Sequence, residues 1–116
     1  GFAAQNALFD RLRAWDLPVW VIDSTDIRAN PAGMLRRLCD AVGIRYTDKM
    51  LRWPAGGNPA DGIWAQHWYG AVHRSTGFDG AEGPLPKLTG DALDLARAAM
   101  PHYDRMRAQA LAPLDV

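Results

Sequence analysis

Residues Val19–Gly43, VWVIDSTDIRANPAGMLRRLCDAVG, carry the patterns that decide the predicted fold. The opening run Val19–Ile22 is apolar and rich in β-branched side chains, which is typical of a strand buried in a parallel sheet. Asp23 and Ser24 follow this run, where the chain would leave the carboxyl edge of the sheet, and open α/β sheets bind ligands at that edge. We therefore expect a strand over about residues 19–23.

A capped helix is predicted directly after this strand. Asn30 is a favoured N-cap residue, and Pro31 suits the first helical position because a missing N–H costs nothing there. The apolar residues that follow recur at helical spacing and are Met34, Leu35, Leu38 and Val42. Gly43 marks the expected end, since glycine readily adopts the left-handed conformation that closes many helices.

The rest of the chain adds helices and loops but no second strand. Apolar spacing predicts helices over residues 3–15, 63–75 and 89 to about 112, and the glycines and prolines of 52–62 predict a long loop. With one strand and about four helices, the chain is interpreted as the C-terminal, mostly helical part of a parallel-sheet α/β domain. A lone buried strand cannot satisfy its own backbone groups. We therefore expect either a piece of a larger α/β protein or a chain that pairs with another.

Composition limits the classes of function. A length of 116 residues fits one small domain, and a hydrophobic content of 48% excludes a disordered chain. Thirteen basic residues balance thirteen acidic ones, so no overall field attracts nucleic acid. The single cysteine permits no internal disulfide and no cysteine-based zinc site. With no signal peptide and no apolar run of membrane-spanning length, we expect a cytoplasmic location and no membrane span.

The segment His73–Phe78 is the best candidate for an anion site. It offers the guanidinium of Arg74, the hydroxyls of Ser75 and Thr76, and a turn at Gly77. Arginine and exposed backbone N–H groups suit a phosphate. The alternative is a solvated helix end, because arginine there also interacts favourably with the helix dipole. Residue chemistry alone leaves both interpretations open.

Other polar and aromatic residues favour structural roles. His67 lies on a predicted apolar stripe and is interpreted as a core histidine rather than a catalytic base. Asp23 and Asp26 are expected to bond backbone amides in turns rather than to form a catalytic pair. The tryptophans Trp53, Trp64 and Trp68 are expected to fill a core rather than to stack on a base. The three histidines show no metal-ligand spacing, so no metal is expected.

Several of these segments resemble 3′-phosphoadenylyl-sulfate-dependent sulfotransferases. Ser24–Pro31 is similar to that family's Tyr-Glu-Asp segment before a helix opening in proline, with Ser24 in the place of the tyrosine. Ala41–Ile44 resembles the hydrophobic-Leu-Gly end of that helix, and Arg74–Phe78 resembles the later Arg-Lys-Gly…Gly-Asp-Trp segment. The stretch Trp53–Tyr69 looks like a divergent bacterial branch. The order of these features covers most of the chain.

The resemblance implies a fold, a co-substrate and site residues. It implies the C-terminal portion of one P-loop-type domain over residues 1–116, whose phosphate-loop half and catalytic base would lie upstream. It implies 3′-phosphoadenylyl sulfate as sulfuryl donor and a small-molecule hydroxyl or amine as acceptor. Arg74, Ser75, Thr76 and Gly77 would hold the donor's 3′-phosphate, and Ser24 would lie on its adenine side. The fragment alone would be inactive, and no catalytic residue is expected within it.

Two alternative functions stay open at this point. One is a non-enzymatic helical interaction module that uses the Trp53–Tyr69 region as an aromatic surface, since aromatic residues and arginine are enriched at interfaces. The other is a different P-loop nucleotide-dependent enzyme, which would need a Mg²⁺-binding acid.

Overall fold

A computed structural model describes residues 1–115 of the protein and shows a helical chain. Six α-helices follow one another, α1 Phe2–Ala14, α2 Ser24–Ala29, α3 Pro31–Val42, α4 Ala65–Trp68, α5 Gly70–Arg74 and α6 Gly90–Arg107. Two single 3₁₀ turns, Asp48–Met50 and Pro59–Asp61, lie between α3 and α4. Single residues separate α2 from α3 and α4 from α5, and the longest connection between these elements runs from α5 to α6.

The predicted strand, and with it the parallel-sheet α/β fold of P-loop type, is wrong for the described residues. Residues 19–22 contain no strand, and their one sheet-like pairing is a single parallel bridge between Val21 and Ala110. The amide of Leu111 donates to the carbonyl of Val21 over 2.9 Å, but the chain after α6 follows the segment no further. Trp20 is 42% exposed, so the apolar run is not enclosed. A strand needs neighbours along its length, and an apolar pattern alone does not supply them.

The capped helix α3 is confirmed. The side chain of Asn30 accepts a hydrogen bond from the amide of Gly33 over 2.9 Å, and Pro31 occupies the first turn. Gly43 adopts φ 72° and ψ 31°, and the amide of Ile44 donates to the carbonyl of Cys39 over 2.9 Å. This arrangement closes the helix with a Schellman motif. Each cap depends only on neighbouring residues, which is why the sequence predicts it.

The acidic turn before α3 is itself a helix. Asp23 is the N-cap of α2, and its carboxylate accepts from the amide of Thr25 over 2.8 Å. The two short helices α2 and α3 then pack against each other through Asn30, which ends one and caps the other. The predicted role of Asp23 in bonding a backbone amide is therefore confirmed.

Polar side chains connect helices α1 and α6. Asn6 is 6% exposed, and its amide nitrogen lies 3.1 Å from both the carbonyl oxygen and Nδ1 of His102. Arg105 reaches the side chains of Asn6 and Asp10 from α6. The apolar side predicted for α1 is left largely uncovered, with Leu8 55% exposed. A polar seam therefore joins the first helix to the last.

The apolar core is small. The buried hydrophobic residues are Met34, Cys39 and Ala65, and the Sγ of Cys39 lies 3.9 Å from the Sδ of Met50. Large apolar side chains remain on the surface over much of the chain. Within residues 1–115, no helix combines the length and hydropathy that crossing a membrane requires.

Candidate functional site

A polar cleft lies between the start of α3 and the segment after α5. Its volume is about 560 Å³. The side of α3 contributes residues 29–32, and the opposite side contributes 51–52 and 74–79. The positive end of the α3 dipole is therefore part of the wall. Four of the five predicted site residues line this one cleft, and they are Arg74, Ser75, Thr76 and Gly77.

Two arginines give the cleft its charge. Arg52 and Arg74 both line it, and neither forms an ion pair with any acidic group in residues 1–115. The Nη1 of Arg74 extends over Gly70, where an added Cβ would lie 3.2 Å from it. Asp79 lines the same cleft. Two arginines against one aspartate give its lining residues a net positive charge, which suits a phosphate.

Arg52 was not among the predicted site residues. A single antiparallel bridge between Arg52 and Gly77 brings it to the cleft, supported by a 3.1 Å hydrogen bond from the amide of Trp53 to the carbonyl of Thr76. The ring of Trp53 also packs edge-on against Phe78, with centroids 5.6 Å apart. No local pattern around Arg52 signals this pairing, because it joins two separate loops.

Ser75 has a structural role in this geometry. Its hydroxyl donates to the carbonyl of Val72 over 2.6 Å and accepts from Nε1 of Trp53 over 2.9 Å. Its amide also donates to Val72, over 3.0 Å. Both donors of Ser75 are therefore used within the protein. They fix the end of α5 and leave Ser75 no unused donor for a ligand.

Thr76 and Gly77 are better placed to donate to a ligand. Within the described part of the chain, neither the backbone amides of Thr76 and Gly77 nor the hydroxyl of Thr76 donates a hydrogen bond. Gly77 also allows close approach of the two loops, since an added Cβ would lie 3.1 Å from the carbonyl oxygen of Leu51. Two arginines thus line the cleft beside two backbone N–H groups that donate no hydrogen bond within residues 1–115.

Ser24 is not brought to this cleft. It lines a second, more apolar groove of about 510 Å³ between α1, α6 and residues 19–24. At the polar end of this groove, the hydroxyl of Tyr103 donates to Asp23 over 2.6 Å. Arg107 forms an ion pair with Asp26 and lies 3.7 Å from Asp23. Ser24 and Arg74 therefore belong to different surfaces of the described chain.

The polar end of this groove is a closed network of charges. The hydrogen bond from Tyr103 lowers the pKa of Asp23 despite burial, with help from the amide of Thr25 and the charge of Arg107. The same bond, together with burial, raises the pKa of Tyr103. Because Asp23 and Asp26 are both held by partners, the network fastens α6 to α2. Asp23 bonds a backbone amide as expected, whereas the Asp26 carboxylate bonds the Arg107 side chain and no backbone amide within residues 1–115.

The expected core positions of His67 and the three tryptophans are wrong. His67 is exposed, while Trp53, Trp64 and Trp68 are 36%, 65% and 76% exposed. The predicted helix over 63–75 is divided at Tyr69 into α4 and α5, so its apolar stripe does not face a core. Within residues 1–115, no three His, Cys, Asp or Glu side chains form a group that could hold a metal ion.

Comparisons with known proteins give the chain a family. The family model described as "Sulfotransferase domain" matches residues 1–110. Branched-chain-amino-acid aminotransferase-like protein 1 of Arabidopsis thaliana is 34% identical over 108 residues, covering 93% of this chain and 20% of that protein. Its counterpart, protein 2, is 33% identical over 107 residues, covering 92% and 19%. The chain thus spans about a fifth of the length of these curated relatives. No solved structure matches it.

Proposed function

The chain belongs to the sulfotransferase-domain family, and from this premise we propose that it forms part of an enzyme using 3′-phosphoadenylyl sulfate as sulfuryl donor. The acceptor in this proposal is a hydroxyl or amine of a small molecule. The proposal follows the family match and not the printed names of the plant relatives, because the chain covers only about a fifth of each of them.

The observation that carries the proposal is that Arg52 and Arg74 line the same cleft. A 3′-phosphate is a compact anion, and charge-assisted hydrogen bonds from arginine are among the stronger contacts that a protein can offer it. Neither guanidinium forms an ion pair within residues 1–115, so a ligand need not displace a carboxylate. The free amides of Thr76 and Gly77 and the N-terminal end of α3 add to the same positive field.

This chain supplies binding rather than chemistry in the proposed reaction. Sulfuryl transfer requires that donor and acceptor be held in line and that a base take the acceptor's proton. Arg52, Arg74, Thr76 and Gly77 would hold the donor's 3′-phosphate. Ser75 would keep the loop in place through Val72 and Trp53. Ser24 stays a prediction from the resemblance, and the catalytic base and the phosphate loop are expected outside these residues.

Calorimetry with two nucleotides tests the phosphate site. In the full-length natural protein, Arg74→Ala should weaken binding of adenosine 3′,5′-bisphosphate roughly ten- to a hundredfold, as expected for a lost charge-assisted bond. Binding of adenosine 5′-monophosphate, which lacks the 3′-phosphate, should change much less. Arg52→Ala should behave in the same way. Arg13→Ala is the matched control, because Arg13 is exposed on α1 and lines neither cleft.

Two results would argue against this function. Equal losses for both nucleotides would mean that Arg74 and Arg52 support the fold and not the 3′-phosphate. If the unaltered protein binds neither nucleotide, the non-enzymatic interaction module becomes the better interpretation. The exposure of Trp64 and Trp68 favours that second candidate, since exposed tryptophans are enriched at interfaces.

A further inference from the structure

The loop over residues 56–61 is fastened around one side chain, His73. The amide of Gly56 donates to the carbonyl of His73 over 2.7 Å. The Nε2 of His73 lies 2.9 Å from Oδ2 of Asp61. Gly57 lies so close to the imidazole that an added Cβ would be 2.8 Å from Cε1. The loop thus contacts the histidine at its backbone, at its ring edge and at its ring nitrogen.

A capping box at the end of the loop is tied into this contact. Asn58 and Asp61 form a capping box around the turn Pro59–Asp61, in which the carboxylate of Asp61 also accepts from the amide of Asn58 over 2.9 Å. That hydrogen bond, followed by the one to His73, lowers the pKa of Asp61. Asp61 is therefore a carboxylate at neutral pH. The imidazole also packs in a T-shaped arrangement against the ring of Tyr69, with ring centroids 6.0 Å apart.

His73 directly precedes Arg74, the last residue of α5. A helix of five residues has little stability of its own and takes its position from its contacts. The amide of Ser75 still bonds to Val72, so the end of α5 is ordered where the cleft begins. We propose that the His73–Asp61 contact is a positioning device that holds Arg74 at the phosphate cleft. This inference rests on the proposed function and deepens it, since it identifies what orients the phosphate-binding residue.

Two variants separate the parts of this contact. His73→Phe keeps an aromatic ring beside Gly57 and Tyr69 but removes the nitrogen that meets Asp61. Gly57→Ala keeps that nitrogen but places a methyl group against the ring. Gly83→Ala is the matched control, because a Cβ at Gly83 meets nothing within 4 Å and its φ is not left-handed. His73→Gln tests rescue, since its side-chain amide can donate to the carboxylate of Asp61.

The first measurement is independent of any nucleotide. Amide hydrogen exchange in the full-length natural protein should accelerate at Gly56 and at Ser75 in His73→Phe and Gly57→Ala, and stay unchanged in Gly83→Ala. His73→Gln should recover part of the protection. Unchanged exchange at Ser75 in both variants would overturn the proposal, because His73 would then not hold the end of α5. This result stands whether or not the protein binds the sulfuryl donor.

The second measurement asks whether the device acts on phosphate recognition. His73→Phe and Gly57→Ala should each weaken binding of adenosine 3′,5′-bisphosphate roughly tenfold. Binding of adenosine 5′-monophosphate should be nearly unaffected. Faster exchange with unchanged bisphosphate affinity, or equal losses for both nucleotides, would overturn the positioning role. If the unaltered protein shows no preference for the bisphosphate, the proposed function fails, and the exchange result alone decides whether His73 positions Arg74.

Discussion

At the residue scale, the carboxylate of Asp23 joins the two halves of the chain. It lies at the N-cap of α2, and the hydroxyl of Tyr103 reaches it from α6, eighty residues away in sequence. Asp23 is only 9% exposed, so water has little access to replace a hydrogen bond that its carboxylate loses. A change at Tyr103 should therefore affect stability, although the residue lines the second groove and not the polar cleft.

Tyr103→Phe should destabilise the fold by roughly 1.5–3 kcal/mol, the range for a hydrogen bond to a charged group. The aromatic contact with Phe2, with centroids 5.6 Å apart, should survive because the ring is kept. Thermal unfolding of the full-length natural protein measures the effect. Tyr69→Phe removes a hydroxyl from an exposed tyrosine and serves as the control. A melting temperature equal to that of the unaltered protein would contradict the role of the bond.

The same pair predicts how stability depends on pH. The pKa of Asp23 is lowered from 3.8 in the folded state, so its stabilising contribution is present above that value and is lost as pH falls through the lowered pKa. The pKa of Tyr103 is raised from 10.0, so its contribution is present below that value and is lost as pH rises through the raised pKa. In Tyr103→Phe the pKa of Asp23 should return toward 3.8. Titration of the Asp23 carboxyl by NMR measures this pKa. If the pKa of Asp23 is the same in Tyr103→Phe as in the unaltered protein, the bond from Tyr103 does not lower it.

At the element scale, the C-terminal end of α3 allows a direct test of whether this helix end requires glycine. Gly43 has a left-handed backbone, and an added Cβ would meet nothing within 4 Å. The cost of Gly43→Val is therefore backbone strain alone, about 1–2 kcal/mol. Gly83→Val is a suitable control, because Gly83 is equally open without left-handed geometry. Equal melting temperatures for the two variants would show that the Schellman motif does not need glycine.

The elements also show which features the sequence can predict. The caps Asn30, Pro31 and Gly43 were predicted because each depends on residues within one turn of it. The strand at residues 19–22 was wrong because it depends on a neighbour far along the chain. Buried Asn6 was missed for the same reason, since its partner lies on α6.

The candidate site likewise contains residues that local sequence predicts and residues that only tertiary contacts place. Arg74, Ser75, Thr76 and Gly77 are consecutive, so their common surface could be predicted from their order. Residue chemistry left the phosphate interpretation open beside that of a solvated helix end. The resemblance favoured the phosphate, and the family match supports that resemblance only at the level of a sulfotransferase domain. Arg52 reaches the cleft through a pairing of two loops, and Ser75 is occupied by Trp53 from one of them. Such contacts are set by tertiary packing and leave no local pattern.

At the scale of the whole molecule, the described chain is expanded for its length. Its radius of gyration is 16.9 Å, against about 13 Å for a compact domain of this size. Buried apolar side chains are few, and large ones such as Trp15, Trp20 and Trp68 are exposed. Burial of apolar surface is the main favourable term in folding. These 116 residues on their own therefore have limited means of offsetting the entropy of an ordered chain.

We expect the isolated 116-residue polypeptide to bind the dye ANS and to unfold over a broad temperature range. Both properties follow from exposed apolar surface and loosely shared packing. Calorimetry and dye fluorescence measure them, and a well-packed small domain of similar length is the reference. A sharp, cooperative transition of a monomer that binds no dye would contradict this expectation.

Cys39 lies on α3 and is buried against the Asp48–Met50 turn, so the reactivity of this single thiol reports local opening. Alkylating reagents need the thiolate at the surface, and Cys39 is 3% exposed. The thiol of Cys39 therefore reacts only when α3 separates from that turn, and the alkylation rate measures how often this separation occurs. Compared with a free thiol at the same pH, the slowing gives the free energy of local opening. The alkylation rate of Cys39 thus measures how often this region opens, without any added label.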